Sequence, residues 1–280
     1  MDQKNNSSVV FSVLICSLGG STLAKAVKSI FVGDYTNLEV VIVIDNPSVD
    51  AEPILKSNLS KSEFSRVKII NNKENIGVAK SANKGIEHCR GKYICRLDDD
   101  DYFVEGRLQK AQDFFENNPK VGILTGGAKV QVASGASYTL CVPSSHEEIE
   151  KCLNRRNILV HSTLHIRMDV LKKAGGYNDD FYYAVDYELY LRMLRAGVKF
   201  ASLDTPLVER VEGDASITIN KRRQQALYSL AALSLHHAIT WKSEKKILKA
   251  ILVSFIRFYS PKIVRTIIRK LRSLKRNVRL

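Results

Sequence analysis

The chain has 280 residues, of which 45% are hydrophobic and 26% are charged, and it carries a formal net charge of +14. This composition indicates a globular protein with a full core, and the chain contains neither a low-complexity tract nor a repeat. The polar start MDQKNNSS predicts no signal peptide, and five cysteines without a C-x-x-C pair predict free thiols in a reducing cytoplasm rather than a zinc site.

The first half of the chain alternates apolar runs with segments that have helical spacing. The predicted strands are FSVLIC (11–16), EVVIVID (39–45), RVKII (66–70) and KYICRL (92–97). The predicted helices are GGSTLAKAVKSIF (19–31), PILKSNL (53–59) and GVAKSANKGIEHC (77–89). Strands that are apolar throughout and alternate with helices predict an α/β fold with a mostly parallel central sheet flanked by helices.

Acidic residues follow two of these strands, at the sheet edge where α/β proteins bind ligands. Asp45 ends the second strand, and four aspartates at 98–101 follow the fourth, in the stretch RLDDDDYF. Alternating residues of an extended chain point to the same side, so Asp98 and Asp100 are placed to hold one divalent ion against a diphosphate. A solvated acidic turn is the alternative. An EF-hand is excluded because Phe103 stands where that loop needs glycine.

The second half of the chain has a more mixed pattern. It predicts an amphipathic helix over 105–119, a strand over 121–127, and short strands and loops over 128–165. Two further helices are predicted over 181–197 and 221–241.

The positive charge is concentrated in the last part of the chain. Residues 242–280 contain 13 Lys or Arg residues and a single acidic residue, Glu244, so the rest of the chain is close to neutral. Apolar residues recur there at helical spacing, but no apolar run reaches the ~20 residues that span a bilayer. This pattern predicts a basic helical extension that contacts an anionic membrane surface, with an ordinary packing helix as the alternative. Nucleic-acid binding is not expected, because no aromatic platform accompanies the charge.

The stretch NIGVAKSANKGIEHCRGKYICRLDDDDYF (75–103) resembles the signature region of the family 2 glycosyltransferases, which have the A-type nucleotide-sugar-binding fold. SVLICSLGG (12–20), IVIDNPS (42–48) and the region 159–200 resemble further family motifs, in the expected order. The resemblance runs from about residue 11 to 216. It implies an inverting enzyme that moves a sugar from a nucleoside-diphosphate sugar to a hydroxyl of a glycan or lipid-linked acceptor, as in bacterial surface polysaccharide synthesis.

The resemblance assigns donor-side roles to the residues that match the family's motifs. Asp100, together with Asp98, would bind Mn²⁺ or Mg²⁺. The residues it implies for nucleotide-sugar binding are Ser17, Asp45, Asn75, Gly77, Lys80, Asn83, Asp98 and Asp99. Asp99 or Asp101 is also expected to be solvated or to cap a helix that begins near Val104, where negative charge suits the helix dipole.

The resemblance makes Asp186 the catalytic base, which would take the proton of the acceptor hydroxyl. The alternative for Asp186 is a charge that stabilises the helix dipole. His161 and Glu188 are assigned to the acceptor side. The implied division is a glycosyltransferase domain over 1–220, with its nucleotide-binding half at about 9–104 and its acceptor-binding half at 105–220, followed by the extension over 221–280.

Some positions depart from the family's pattern. Cys16, Leu18 and Gly19 replace the commoner Pro, Tyr and Asn, which leaves the residue that stacks on the base unassigned, and Glu212 stands where many members have a histidine near the metal. These departures motivate an alternative, a non-catalytic nucleotide-sugar-binding scaffold at the membrane. A nucleotidyltransferase is disfavoured, because the first strand lacks a glycine-rich basic loop. The expected location is the cytoplasm, peripheral at the inner face of the cell membrane.

Overall fold

The computed structural model describes residues 9–132, 135–212 and 221–240, together with Leu248. The predicted membrane-contacting segment 242–280 therefore lies, apart from Leu248, outside the described residues. Within these residues the strands are β1 (Phe11–Ser17), β2 (Leu38–Ile44), β3 (Val67–Asn71), β4 (Tyr93–Arg96), β5 (Asp101–Phe103), β6 (Val121–Val132), β7 (Ser137–Leu140), β8 (His165–Arg167) and β9 (Lys199–Glu212).

Helices occupy most of the intervals between these strands. They are α1 (Leu23–Ile30), α2 (Glu52–Asn58), α3 (Lys61–Phe64), α4 (Val78–Glu87), α5 (Arg107–Asn117), α6 (His146–Leu153), α7 (Met168–Lys173), α8 (Val185–Arg195) and α9 (Arg222–Thr240), with a 3₁₀ turn at His161–Thr163. In the described part of the chain, none of these helices has the length and apolar character needed to cross a membrane.

All of the strands belong to one sheet, in the order β3–β2–β1–β4–β8–β6–β9–β5, and β7 pairs with β6. The first four strands in this order are parallel to one another. β8 is antiparallel to both of its neighbours, and β6 is parallel to β9. The α/β fold with a central sheet flanked by helices is confirmed, and the second half of the sheet is mixed rather than parallel.

Helices cover both faces of the sheet. On one face Val27 of α1 and Phe115 of α5 join the core, and on the other Leu189 of α8 and Leu233 of α9 are buried. β2 is buried along its whole length, which explains why its sequence LEVVIVI shows no polar alternation. Each fully buried apolar side chain of this size contributes roughly 1.5–3 kcal/mol.

The segment 128–165 differs from the predicted short strands and loops because it contains α6. The Ser145 side chain accepts a 3.3 Å hydrogen bond from the N–H of Glu148, which caps the helix. Ile149 and Leu153, one turn apart, are both buried. Two apolar positions are too few to show helical periodicity in the sequence. The serine at position 145 does indicate a helix start.

The helix predicted over 181–197 begins later, at Val185. Residue Ala184, immediately before it, has φ 53° and ψ 31°, which is the left-handed region. The preceding residues form a turn instead of a first helical turn. The start of α8 is consequently set by this turn.

Candidate functional site

Three neighbouring strands end at one edge of the sheet and bring polar side chains together. β1 ends at Ser17, β2 leads into Asp45, and β4 leads into Asp98. The N–H of Asp45 donates to the Ser17 carbonyl at 2.8 Å, and the Ser17 hydroxyl donates to Asp99. That hydroxyl also accepts a 2.8 Å bond from the N–H of Gly19. The ligand edge expected from the strand order therefore gathers four of the predicted donor-side residues.

The carboxylate of Asp45 holds the loop that leads into α4. Its Oδ1 accepts bonds from the Asn72 side chain at 2.8 Å and the N–H of Ile76 at 2.9 Å, and its Oδ2 accepts one from the N–H of Gly77 at 2.9 Å. The Asn75 side chain donates to the Asp45 carbonyl at 3.0 Å. Asp45 is only 5% exposed, so its carboxylate is committed to holding this loop at the end of β2.

Asn83 and Lys80 lie on α4 in different environments. The Asn83 side chain donates to the Tyr177 carbonyl and to Asp179, both at 2.9 Å, and accepts a 2.8 Å bond from the N–H of Tyr177. Its amide is thus used to join α4 to the loop before α8, which favours a structural role over direct nucleotide contact. Lys80 is exposed in the first turn of α4, where its ammonium group is accessible to an anion.

The four aspartates of RLDDDDYF differ in exposure. Asp98 and Asp99 are half-buried, Asp100 is exposed, and Asp101 is 1% exposed. Partial desolvation at the end of β4 raises the pKa values of Asp99 and Asp100, and the negative charges of their neighbours raise them further. Carboxylates in this state are stabilised by an added cation.

The expectation that Asp99 or Asp101 caps a helix near Val104 is wrong. α5 begins at Arg107, and its N-terminal cap is Gly106 in a left-handed conformation. Asp101 belongs to β5, which pairs with β9, and Asp99 accepts its bond from the end of β1. β5 occupies Asp101–Phe103, and α5 begins at Arg107, after the expected start near Val104.

Arginine side chains supply positive charge around the aspartates. Arg96 is 1% exposed, and its Nη2 lies 3.9 Å from Oδ1 of Asp98. Arg210 of β9 places its Nε 3.3 Å from Oδ1 of Asp101, whose pKa burial raises to about 7. Burial alone would raise the pKa of Asp98, but the hydrogen bond and charge of His161, with Arg96 and Arg210, lower it below its usual range.

The oxygen donors at the end of β4 fit a hard divalent cation. Asp98 and Asp100 offer two carboxylates, and Mg²⁺ commonly uses one or two protein carboxylates together with substrate phosphates. Across the ranges that the structure describes, no group of three or more His, Cys, Asp or Glu side chains is arranged to hold a metal ion. This donor set therefore fits a metal completed by the substrate better than a metal enclosed by protein. The side chain of Glu212 lies outside the described part.

His161 connects the aspartates to the loop before α8. Its Nδ1 lies 3.5 Å from Oδ1 of Asp98, and its Nε2 lies 2.8 Å from the Tyr177 hydroxyl. Burial raises the pKa of Tyr177, and nearby negative charges, including those of Asp186 and Asp98, add to the rise. The hydroxyl of Tyr177 thus keeps its proton while it is hydrogen-bonded to His161.

Asp186 lies in the first turn of α8 and is partly exposed. The Asn157 side chain donates a 2.7 Å hydrogen bond to its Oδ2. The Asn157 side-chain oxygen in turn accepts a 3.1 Å bond from the N–H of Leu159. Asn157 is therefore fixed by its own loop and orients the carboxylate, which is what a base acting on an acceptor requires.

Glu188, assigned by resemblance to the acceptor side, faces the protein interior. It is 3% exposed and accepts bonds from the Arg192 side chain at 2.9 Å. Arg192 also donates to the carbonyls of Ala174 and Gly176. These contacts favour a structural role, in which the Glu188–Arg192 ion pair holds the turn at 174–176 against α8.

Sequence reasoning did not single out Asn157, Tyr177 or Arg210. Tyr177 lies in the region 159–200 that resembles the family, and this resemblance was the signal that could have identified it. Asn157 lies in a loop without periodicity, and Arg210 reaches the aspartates only because β9 pairs with β5. Neither the contact of Asn157 with Asp186 nor that of Arg210 with Asp101 is indicated by a local sequence pattern.

A family model described as Glycosyl transferase family 2 matches residues 12–165 of the chain. An uncharacterized glycosyltransferase of Methanocaldococcus jannaschii is 27% identical over 241 residues, which are 85% of this chain and 81% of that protein. The amylovoran biosynthesis glycosyltransferase AmsE of Erwinia amylovora is 28% identical over 219 residues, which are 76% of this chain and 80% of that protein.

Solved structures share the fold. TarS (1–349) of S. aureus in complex with UDP has a TM-score of 0.63 at 15% identity, covering 90% of this chain and 72% of that one. The mannosyltransferase PcManGT of Pyrobaculum calidifontis, in complex with GDP-Man and Mn²⁺, has a TM-score of 0.61 at 16% identity, covering 89% and 70%. At these identities the likeness concerns the fold alone.

Proposed function

The chain belongs to glycosyltransferase family 2, and we propose that it is an inverting glycosyltransferase that moves a sugar from a nucleoside-diphosphate sugar to a hydroxyl of a glycan or lipid-linked acceptor. One observation carries the proposal. His161 places its Nδ1 3.5 Å from Oδ1 of Asp98, and Asn157, four residues earlier in the chain, donates a hydrogen bond to the Asp186 carboxylate. This convergence supports a single cleft with the donor on one side and the base on the other.

The donor side of the proposed site is the edge formed by β1, β2 and β4. Asp45 and its loop would line the nucleotide pocket, and Ser17 would hold Asp99 at the pocket floor. Lys80, exposed at the start of α4, would approach the diphosphate. Asn83 would support this wall from behind, through the backbone of Tyr177.

Asp186 would act as the general base. The acceptor hydroxyl oxygen would attack the anomeric carbon on the face opposite the leaving group, while its proton passes to the Asp186 carboxylate. The bond between the anomeric carbon and the diphosphate oxygen would break with its electron pair on the oxygen, which inverts the anomeric centre. Asn157 holds Oδ2 of this carboxylate, which supports a defined direction of proton transfer.

Asp100 and Asp98 would hold Mn²⁺ or Mg²⁺. When bound, the ion would stabilise negative charge on the leaving diphosphate. The arginines at 96 and 210 would keep Asp98 ionised and aligned without occupying the exposed carboxylate of Asp100. The Mn²⁺ in the PcManGT complex supports this assignment by analogy of fold.

The cellular setting we infer is surface polysaccharide synthesis at the inner face of the cell membrane. The name of AmsE, an amylovoran biosynthesis glycosyltransferase, supports a polysaccharide product. The basic sequence of 242–280 supports contact with anionic lipid, which would bring the active site to lipid-linked acceptors.

Calorimetric binding of UDP, GDP and dTDP, each with and without Mn²⁺, tests the proposed site. We expect Mn²⁺-dependent binding of one nucleotide, which is lost in Asp100→Ala. Asp113→Ala is the matched control, because it removes an exposed aspartate from the surface of α5. Absence of binding by all three nucleotides to the folded chain would refute the donor site. Nucleotide binding without turnover of any donor sugar would support the non-catalytic scaffold instead.

A further inference from the structure

The residue before α8 has a backbone conformation that its side chain does not favour. Ala184, at φ 53°, is the single non-glycine residue with positive φ in the described ranges. L-residues other than Gly, Asn and Asp rarely adopt this conformation, and it persists only where surrounding contacts impose it. Ala184 lies two positions before Asp186, so its conformation sets where the first turn of α8 presents that carboxylate.

A side chain from a distant helix holds this turn. The N–H of Ala184 donates a 3.1 Å hydrogen bond to Oε1 of Gln225 on α9, across 41 residues of sequence. The carbonyl of Ala184 accepts the first bond of α8, from the N–H of Glu188 at 3.1 Å. Ala184 is 6% exposed and has no polar side chain, so Gln225 supplies a partner that water cannot readily replace.

Aromatic packing locks the same turn against α9. The rings of Phe181 and Tyr183 both meet the ring of Tyr228 edge to face, with centroids 5.7 and 5.6 Å apart. Tyr228 lies one helical turn beyond Gln225 and on the same side of α9. Helix α9 therefore contacts this turn twice, by the hydrogen bond to the Ala184 backbone and by the packing of Tyr228 against its aromatic side chains.

α9 itself is anchored to the body of the domain. His236 Nε2 lies 2.7 Å from the Asn154 side-chain oxygen, and Ala232 and Leu233 are buried against the core. Because the C-terminal half of α9 is packed against the core, the position of Gln225 near its N-terminus is fixed relative to the domain. Helix α9 thus packs against the core that also contains α8.

We propose that Gln225 is a positioning residue for Asp186: it holds Ala184 in the left-handed conformation that starts α8 with the carboxylate aimed into the cleft. The inference rests on the proposed role of Asp186 as base. It makes α9 a component of the active site, although α9 contributes no group that touches the reacting atoms. Loss of the hydrogen bond from Ala184 to Gln225 displaces the Asp186 carboxylate without altering the nucleotide-binding residues.

The test compares Gln225→Leu with Gln224→Leu in the full chain. Gln224 is the exposed neighbour on α9, so its substitution is a matched control. The readouts are the rate of nucleoside diphosphate release from a sugar donor that carries the nucleotide identified by the screen, Mn²⁺-nucleotide affinity by calorimetry, and hydrogen exchange at the Ala184 amide. Asp186→Asn provides the reference for loss of the base.

For Gln225→Leu we expect kcat to fall about 10- to 100-fold, as for a misplaced catalytic group, with donor KM and nucleotide affinity within about two-fold of the native values. Exchange at the Ala184 amide should accelerate. Gln225→Glu, which keeps an acceptor oxygen, should retain most of kcat. Ala184→Gly in the Gln225→Leu background should recover kcat, because glycine adopts the left-handed conformation without support.

Equal kcat in the Gln225→Leu and Gln224→Leu variants, with Asp186→Asn inactive, would overturn the inference. A double variant with Ala184→Gly that stays as slow as Gln225→Leu would also overturn it. Should Gln225→Leu not fold, Gln225→Ala replaces it, with the same kcat loss expected. Failure of the proposed function is a separate result: the native chain would bind no nucleotide, or Asp186→Asn would keep full activity.

Discussion

Asn157 donates a 2.7 Å hydrogen bond to Oδ2 of Asp186, although 29 positions separate the two residues in the chain. The bond fixes the rotation of the carboxylate, and the Asn157 amide is itself held by the N–H of Leu159. In the proposed role as base, a carboxylate held in this way loses little entropy when the acceptor binds.

Asn157→Ala should lower kcat about 10- to 100-fold while leaving nucleotide affinity unchanged, since only the orientation of Asp186 is lost. Asp186→Asn should lower it by about 10²- to 10⁴-fold, the range for removal of a general base. In the double variant the two losses should not add, because the amide has no base left to orient. Additive losses in steady-state kinetics would show that Asn157 acts elsewhere.

Asn83 and Lys80 lie on the same helix, and their substitution should separate stability from binding. Asn83→Ala leaves the N–H and carbonyl of the buried Tyr177 without their partner, so it should cost about 2–4 kcal/mol in the free energy of unfolding. The nucleotide affinity of the folded fraction should stay near the native value.

Lys80→Ala should give the opposite result. Its ammonium group is exposed, so stability should change by less than about 0.5 kcal/mol. Nucleotide affinity should fall about two- to five-fold, the range for an exposed ion pair, and less at high salt. Urea denaturation and calorimetry on both variants provide the measurements. A large affinity loss in Asn83→Ala at unchanged stability would restore its assignment to direct nucleotide contact.

The sequence predicts the parts of this molecule that depend on local pattern. Apolar runs such as LEVVIVI indicate strands covered on both faces, and the strand pattern places Asp45 and Asp98 just past strand ends at the carboxyl edge. Nothing in a linear pattern indicates that Arg210 faces Asp101, because that contact exists only through the pairing of β5 with β9.

The same limit applies to the acceptor side. Glu188 stands on an acidic helix start and looks available in sequence, but helical geometry turns it toward Arg192 and the interior. The sequence does not indicate the left-handed conformation of Ala184, because glycine or asparagine is the residue usually found in that conformation. A local rule fails at this position because a distant side chain, Gln225, supplies the missing support.

Glu39 should make the stability of the fold depend on pH. Its carboxylate accepts 2.6 Å bonds from the Ser12 hydroxyl and the Arg90 N–H, and its Oε2 lies 2.7 Å from Nη2 of Arg90. Burial would raise the pKa of Glu39, but these bonds and the Arg90 charge lower it below the ordinary value of 4.5. At pH values just below 4.5, the Glu39 carboxyl therefore binds fewer protons in the folded state than in the unfolded state.

The stabilisation from Glu39 is therefore complete above pH 4.5 and is lost as the pH falls through the folded-state pKa. Glu39→Gln should cost about 1–3 kcal/mol at pH 7 and distinctly less at about pH 3.5, by urea denaturation. Glu52→Gln, in an exposed pair with Lys56, is the control and should change stability by less than about 0.5 kcal/mol at either pH. An equal cost of Glu39→Gln at both pH values would contradict the assignment.

The basic segment 242–280 should bind anionic lipid independently of the nucleotide site. A chain ending at Trp241 should lose sedimentation with vesicles that contain anionic lipid, since it lacks 13 Lys or Arg residues, and should keep its nucleotide affinity. Binding of the full chain should weaken with salt, as surface charges are screened over about 8–10 Å at physiological ionic strength.

A second variant separates charge from apolar contact. Replacing Arg265, Arg269, Arg272 and Lys275 by Gln keeps the length and the apolar residues of the segment but removes four positive charges. We expect intermediate vesicle binding, because each cation near the surface contributes at most about 1 kcal/mol and the apolar side chains still partition into the interface. If the full and shortened chains bind anionic vesicles equally, the membrane contact lies elsewhere on the molecule. If the shortened chain also loses nucleotide binding, the segment supports the catalytic domain rather than a lipid surface.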